Sequence, residues 1–175
     1  MDAYRTETQE HHGRTYKVEW IHDDCMRAPW DDHDGHGIVS DWTTRDKKPG
    51  EWVLHHDRSS KRYYDAQATM ERAKAEGWNT APYHWKTKGE QAAAAVKADF
   101  EHLRAWCDDR WHWCGIVATL LDEEGDETEH TASLWGFEDG LPNASDYHHE
   151  VIADLVSEIE GDLQRNTYPV THMGV

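Results

Sequence analysis

Tryptophan and tyrosine are the residues from which this chain must build its core. Leu, Ile, Val and Phe together number only 24 of the 175 residues, whereas the sequence contains ten Trp and seven Tyr. Each large aromatic side chain buries about 150–250 Å² in a folded protein, so these rings replace much of the missing aliphatic volume. The low aliphatic content and a formal net charge of −17 favour disorder when taken alone. The aromatic supply outweighs both, and we predict a folded chain.

The pattern of apolar residues predicts an α+β fold. Six strands are predicted, at 15–22, 38–43, 51–56, 62–64, 111–121 and 128–137. Helical spacing predicts three helices, over 66–76, from about 88 onwards and over about 146–165. This order implies a mostly antiparallel sheet with about three helices packed on it. We expect a single domain over residues 14–166, with flexible tails at 1–13 and 167–175.

The charge is distributed very unevenly along the chain. Residues 1–42 carry a net charge of −6 and residues 43–104 a net charge of +3. Residues 119–165 hold 14 carboxylates against a single base, Arg165, which gives a net charge of −13. Such a surface repels nucleic acid and anionic membranes and attracts basic proteins. We therefore expect a basic protein partner, with no direct contact to nucleic acid or membrane.

Two acidic clusters in this segment are candidate partner-binding residues. The first is a row at intervals of four residues on the last predicted helix, namely Glu150, Asp154, Glu158 and Asp162. Neighbours in such a row lie about 6 Å apart along the helix axis. The second cluster surrounds the predicted hairpin turn and consists of Asp122, Glu123, Glu124, Asp126 and Glu127. Both clusters suit a partner-binding surface that mimics nucleic acid, and a solvated face that serves only solubility is the alternative.

Carboxylates and imidazoles also cluster between residues 31 and 36. Asp32, His33 and His36 are candidate ligands for a divalent cation, which would support a metal-dependent enzyme. The calcium-loop template fails, however, because the first ligand position falls on Trp30. A loop in which Asp side chains bond nearby backbone amides and Gly permits tight turns is the simpler interpretation. We predict neither a resident metal nor another cofactor.

No motif for nucleophilic, phosphate-binding or metal-dependent catalysis is present in the sequence. Cys107 lies on the apolar stripe of a predicted helix and Cys114 in a predicted buried strand, where thiols are usually inert. Three cysteines without paired spacing favour a reducing compartment. The first residues lack the apolar stretch of a secretory signal, and no apolar run is long enough for a transmembrane helix. We expect a cytoplasmic protein that is not an enzyme.

Four stretches of the chain have a familiar pattern. They are Ala28–Gly37 (APWDDHDGHG), Arg45–Glu51 (RDKKPGE), Arg62–Asp65 (RYYD) and Gly89–Val96 (GEQAAAAV). From about residue 16 to 135, the chain resembles uncharacterised small acidic proteins of tailed bacteriophages and prophages. The resemblance implies a phage protein that acts in the bacterial cytoplasm, and it assigns no site residues. By analogy with small acidic phage proteins, it implies an inhibitor of a host defence complex of the CRISPR or restriction type.

Overall fold

The computed structural model describes residues 2–32, 35–78, 87–142 and 144–167. The elements in chain order are β1 (Ala3–His11), β2 (Arg14–His22), α1 (Pro29–Asp32), β3 (Glu51–Asp57), β4 (Ser60–Asp65), α2 (Ala66–Glu76), α3 (Lys88–Cys107), β5 (His112–Leu121), β6 (Glu127–Asp139) and α4 (Ala144–Thr167). The contacts within the chain define two compact units. Unit 1 comprises Met1–Met26 and Trp111–Val175, and unit 2 comprises Arg27–Arg110.

Unit 1 is an antiparallel four-stranded sheet in the order β1-β2-β5-β6 with helix α4 on one face. The apolar stripe of α4 packs against alternate residues of the sheet, including Trp20 and Ile116. The opposite face is covered in part by Trp135, whose ring lies directly over Gly115. Because the ring occupies the space that a Cβ would take, this site in the central strand β5 requires glycine.

Strand β1 corrects one prediction. The expectation that residues 1–13 form a flexible tail is wrong, since Ala3–His11 pairs with β2 along nearly its whole length. The two strands are joined by His12 and Gly13, which both have positive φ values (51° and 77°). Two consecutive positive φ angles are typical of the type I′ turn that matches the twist of a hairpin. The strand was not predicted because β1 is an edge strand of mostly polar residues and has no apolar alternation.

Unit 2 consists of the β3–β4 hairpin, the short helix α1 and the helices α2 and α3. Its core contains buried aliphatic and aromatic side chains from each of the longer elements, among them Leu54, Tyr64, Val96 and Leu103. Helix α2 ends at Gly77 as predicted, with the left-handed conformation (φ 72°) of a helix C-cap. The predicted strand over 38–43 is reduced to two isolated bridges, at Val39 and Thr43, against β4.

The α+β class and the mostly antiparallel sheet are confirmed. Helices α2, α3 and α4 correspond to the three predicted helices, and α1 adds one turn. The assignment of residues 14–166 to a single domain stays a prediction, because the described contacts define two units. The predicted tail at 167–175 lies outside the described residues from position 168 onwards. None of the described helices is long and apolar enough to cross a bilayer.

Candidate functional site

The negative charge of the protein is concentrated in unit 1. This unit carries 20 carboxylates against four Lys and Arg, a net charge of −16, counted over residues 1–26 and 111–175. Unit 2 carries 15 carboxylates against 14 bases, a net charge of −1. Unit 1 therefore carries nearly all of the −17 net charge of the chain, and its surface is where an acidic binding site has to be sought.

The predicted acid row is exposed on α4. Glu150, Asp154, Glu158 and Asp162 are all solvent-exposed, while the stripe that contains Val151 and Leu155 is buried against the sheet. The row is not straight, because four residues advance an α-helix by about 400°, so each member is turned by about 40° from the one before. The carboxylates thus form a continuous strip that winds from the solvent-facing side of α4 towards its flank.

Two contacts show that this flank faces β6. The ring of Tyr147, near the start of α4, lies 5.6 Å from that of Phe137. Near the other end, Asp162 shares a cavity of about 240 Å³ with Glu129 and His130. From residue 147 to 162 the helix rises about 22 Å, and from residue 137 to 130 the strand spans about 23 Å. Helix and edge strand therefore run antiparallel, side by side, over the length of the acid row.

Only one member of the row forms an ion pair with a described residue. The carboxylate of Asp162 is paired with Arg165 on the next turn of the same helix. No ion pair with any described residue involves Glu150, Asp154 or Glu158. Three successive carboxylates of the row are thus exposed and have no ion-pair partner among the residues that the structure describes.

Glu160 lies on the opposite flank of α4 and is not part of the row. Its Oε2 lies 2.9 Å from Nδ1 of His12, and its Oε1 accepts a hydrogen bond from Tyr16. The hydrogen bond to His12 lowers the pKa of this carboxyl below its usual value. Glu160 therefore stays ionised and ties α4 to the β1–β2 hairpin instead of extending the row.

The hairpin cluster lies at the end of the sheet that the row approaches. Asp122 uses Oδ1 to accept hydrogen bonds from the backbone N–H groups of Glu124 and Asp126, so it shapes the turn. Glu127 is paired with Lys17 at 2.7 Å. The side chains of Glu123, Glu124 and Asp126 are exposed. Of the five predicted hairpin residues, these three add charge that is available to a partner.

Two exposed apolar residues beside the row were not predicted as part of a site. Tyr147 is 54% exposed and Leu134 is 48% exposed. Tyr147 precedes Glu150 by three residues, which places it at the start of the row on the same side of α4. The spacing of Tyr147 from Glu150 was the only feature of the sequence that placed Tyr147 beside the row. No feature of the sequence indicated Leu134, since its exposure depends on β6 being an edge strand.

The Asp/His cluster has a different role in the described residues. The side chain of Asp32 and the whole of His33 lie outside the described residues. Nδ1 of His36 lies 2.7 Å from Oδ1 of Asp99. No group of three or more His, Cys, Asp or Glu side chains in the described part of the chain is arranged to hold a metal ion. His36 thus takes part in a network of unit 2, and the metal hypothesis remains an untested prediction.

His36 and Asp99 also line an open cavity of about 610 Å³ in unit 2, with Trp78 and His102 as further walls. The second oxygen of Asp99 accepts hydrogen bonds from the N–H of Gly37 and the hydroxyl of Tyr64, both at 2.8 Å. Both carboxylate oxygens are thus occupied by groups of the protein itself. Asp99 thus anchors residues 36 and 37 of the loop to α3.

The two buried thiols are unsuited to nucleophilic chemistry. Burial raises the pKa of Cys107 and that of Cys114 to about 11. A thiol with such a pKa is protonated at neutral pH, and the thiolate is the reactive form. Cys25 is exposed.

The chain matches no protein-family model, and no curated protein and no solved structure is significantly similar to it.

Proposed function

We propose that this protein is a non-enzymatic binding protein whose unit 1 engages the basic surface of a nucleic-acid-handling protein and occupies it in place of nucleic acid. The observation that carries the proposal is the exposed row of Glu150, Asp154 and Glu158, which has no described countercharge, in a unit with a net charge of −16.

The like charges of the row lower the stability of α4, and a binding role would explain why they are present. Like charges spaced four residues apart on a helix destabilise it by about 0.2–0.5 kcal/mol per pair, so the three pairs cost about 1 kcal/mol. The only base of α4 that pairs with the row is Arg165, at its far end. A basic partner would relieve this repulsion on binding, which favours the complex.

The row on α4 presents negative charges at a spacing of the same order as that of nucleic acid phosphates. From Glu150 to Asp162 the helix spans about 18 Å, and the four carboxylates of the row lie about 6 Å apart along its axis. One strand of DNA carries one charge per about 3.4 Å of helix axis. A groove that binds phosphates through Lys and Arg can therefore place some of its cations against the carboxylates of the row.

The resemblance to small acidic phage proteins directs the search for the partner. We propose the narrower role of a phage-encoded inhibitor that acts in the bacterial cytoplasm on a host defence complex of the CRISPR or restriction type. These complexes handle nucleic acid in basic channels, which is the surface that an acidic mimic requires.

The test uses two variants with the same net charge. In the first, the four row residues Glu150, Asp154, Glu158 and Asp162 are changed to Lys. In the second, four exposed acids of unit 2 are changed to Lys, namely Asp41, Asp57, Glu71 and Glu101. Both sets change the formal charge from −17 to −9. Each protein is immobilised, incubated with bacterial extract and eluted with a salt gradient.

We expect the wild type and the unit 2 variant to capture the same nucleic-acid-handling protein, which elutes at elevated salt because the contact is ionic. The row variant should capture none of it while retaining the circular dichroism spectrum of the wild type. Equal capture by all three proteins would show that the acidity serves only solubility, and the proposal would then be wrong.

A further inference from the structure

Strand β6 is one of the two edge strands of the sheet in unit 1, and it is the one beside the acid row of α4. In the order β1-β2-β5-β6, it pairs with β5 on one side and with no described strand on the other. Of the five consecutive residues 131–135, all but Ala132 are exposed, so no described part of the chain covers this stretch of the edge. The backbone N–H and C=O groups on the outer side of such an edge are a template for another strand.

The side of this edge that adjoins α4 is apolar at its centre. Leu134 pairs with Ile116 of β5, so its side chain projects from the face on which α4 lies. Residue 147 of α4 lies beside residue 137 of β6, and residue 162 lies beside residue 130. Between these two points, position 134 of β6 is level with Asp154 of α4. Leu134 therefore lies between the exposed ring of Tyr147 towards one end and the acids of the row towards the other. The exposed Leu on the edge strand and the exposed Tyr on the adjoining helix offer apolar contacts to the side chains of an added strand.

The charge along this edge determines what it accepts. Asp154, Glu158 and Asp162 wind onto the β6 flank, and Glu129 of β6 lines the cavity that Asp162 shares. An acidic or neutral strand would gain nothing from these carboxylates, whereas Lys and Arg side chains would pair with them. The apolar centre and the acidic surroundings together fit a strand in which basic residues accompany an apolar one.

We propose that the open edge of β6 and the adjoining flank of α4 bind an extended basic segment of the partner, which adds to the sheet as a fifth strand. Main-chain hydrogen bonds to β6 would supply affinity, and alternate side chains of the added strand would meet Leu134 and the carboxylates of α4. Extended basic arms are common in proteins that bind nucleic acid. This inference rests on the proposed function and specifies the part of the partner that is recognised.

The test uses the full-length protein and two synthetic peptides of about ten residues with the same charge. One alternates Lys with Val, which favours an extended strand and offers apolar side chains, and the other alternates Lys with Ser. Affinities are measured for the wild type and for a Leu134→Ser, Tyr147→Ser variant, whose two changes lie at exposed positions. Hydrogen exchange then compares the amides of β6 with those of the other edge strand, β1.

We expect the Lys-Val peptide to bind the wild type at least about tenfold more tightly than the Lys-Ser peptide. This ratio should fall below about threefold in the double variant, and the Lys-Val peptide should slow exchange in β6 and not in β1. Equal affinities for the two peptides, or protection outside β6, would overturn the inference and leave the proposed function intact. If neither peptide bound at low salt, the inference would be wrong as well, and the capture experiment with the row variant would test the proposed function separately.

Discussion

Asp99 joins three parts of unit 2 through a single carboxylate. One oxygen contacts His36, and the other accepts hydrogen bonds from the N–H of Gly37 and the hydroxyl of Tyr64. Tyr64 is fully buried, and its ring fills the space that a Cβ at position 37 would occupy. Burial and the neighbouring Asp99 raise the pKa of Tyr64, so its hydroxyl stays protonated and donates. His36, one of the candidate metal ligands, is thus held by a carboxylate of α3.

Replacement of Asp99 by Ala should destabilise unit 2 strongly. The change leaves the hydroxyl of Tyr64 and the N–H of Gly37 without acceptors in a largely buried place, which costs about 2–4 kcal/mol. Asp99→Asn, which retains one oxygen, should cost less. Urea unfolding followed by tryptophan fluorescence measures both variants. A loss below about 0.5 kcal/mol for Asp99→Ala would contradict this account of the network.

Glu51 provides a pH-dependent test at the same scale. Its bidentate contact with Arg45, at 2.6 and 2.7 Å, lowers the pKa of Glu51 from 4.5 to about 2. A carboxyl with a lowered pKa in the folded state contributes stability above pH 4.5, and that contribution is lost as the pH falls towards 2. The Glu51→Gln variant should be less stable than the wild type at pH 7. Between pH 4.5 and 2 the difference in melting temperature should shrink, and parallel curves would contradict the assignment.

Among the elements, those with strong internal patterns were predictable from sequence. Helix α2 was predicted at its observed bounds from its helical composition and from Gly77 as its end, and the structure adds Asp65 as its N-cap. β1 was missed because a polar edge strand lacks apolar alternation, and because His12-Gly13 is not one of the residue pairs that typically signal a hairpin turn. The candidate site was likewise predictable only where the sequence has a strong local pattern. Spacing predicted that the acid row shares one side of α4, but the neighbour of that side, β6, depends on tertiary packing.

The acid row allows a prediction about α4 itself. Changing Glu150 to Gln, Asp154 to Asn and Glu158 to Gln removes all three like-charge pairs of the row. The triple variant should therefore be more stable than the wild type by about 1 kcal/mol at low ionic strength. Salt screens exposed charges, so the gain should shrink at about 1 M salt. Thermal unfolding at both salt concentrations measures it, and a gain that is unaffected by salt would point to a cause other than charge repulsion.

At the scale of the whole molecule, the sequence is divided into one highly charged and one nearly neutral unit. Charge counts along the chain located the negative excess in its C-terminal part, but they could not show that residues 1–26 join that part in a single sheet. Residues 1–26 bring only three bases into unit 1, which holds 20 carboxylates in all. Tertiary structure therefore concentrates the charge in unit 1 instead of neutralising it. This concentration is the physical basis of the proposed binding function.

The most direct measurement of this claim is a displacement experiment with the purified captured partner. The partner is first saturated with fluorescent DNA, and the protein is then added while fluorescence anisotropy reports the bound fraction. We predict that the wild type and the unit 2 charge variant displace the DNA, and that the variant with Lys at the four row positions does not. An anisotropy that stays constant or rises on addition of the wild type would mean that DNA and protein bind at different places, which would contradict nucleic-acid mimicry.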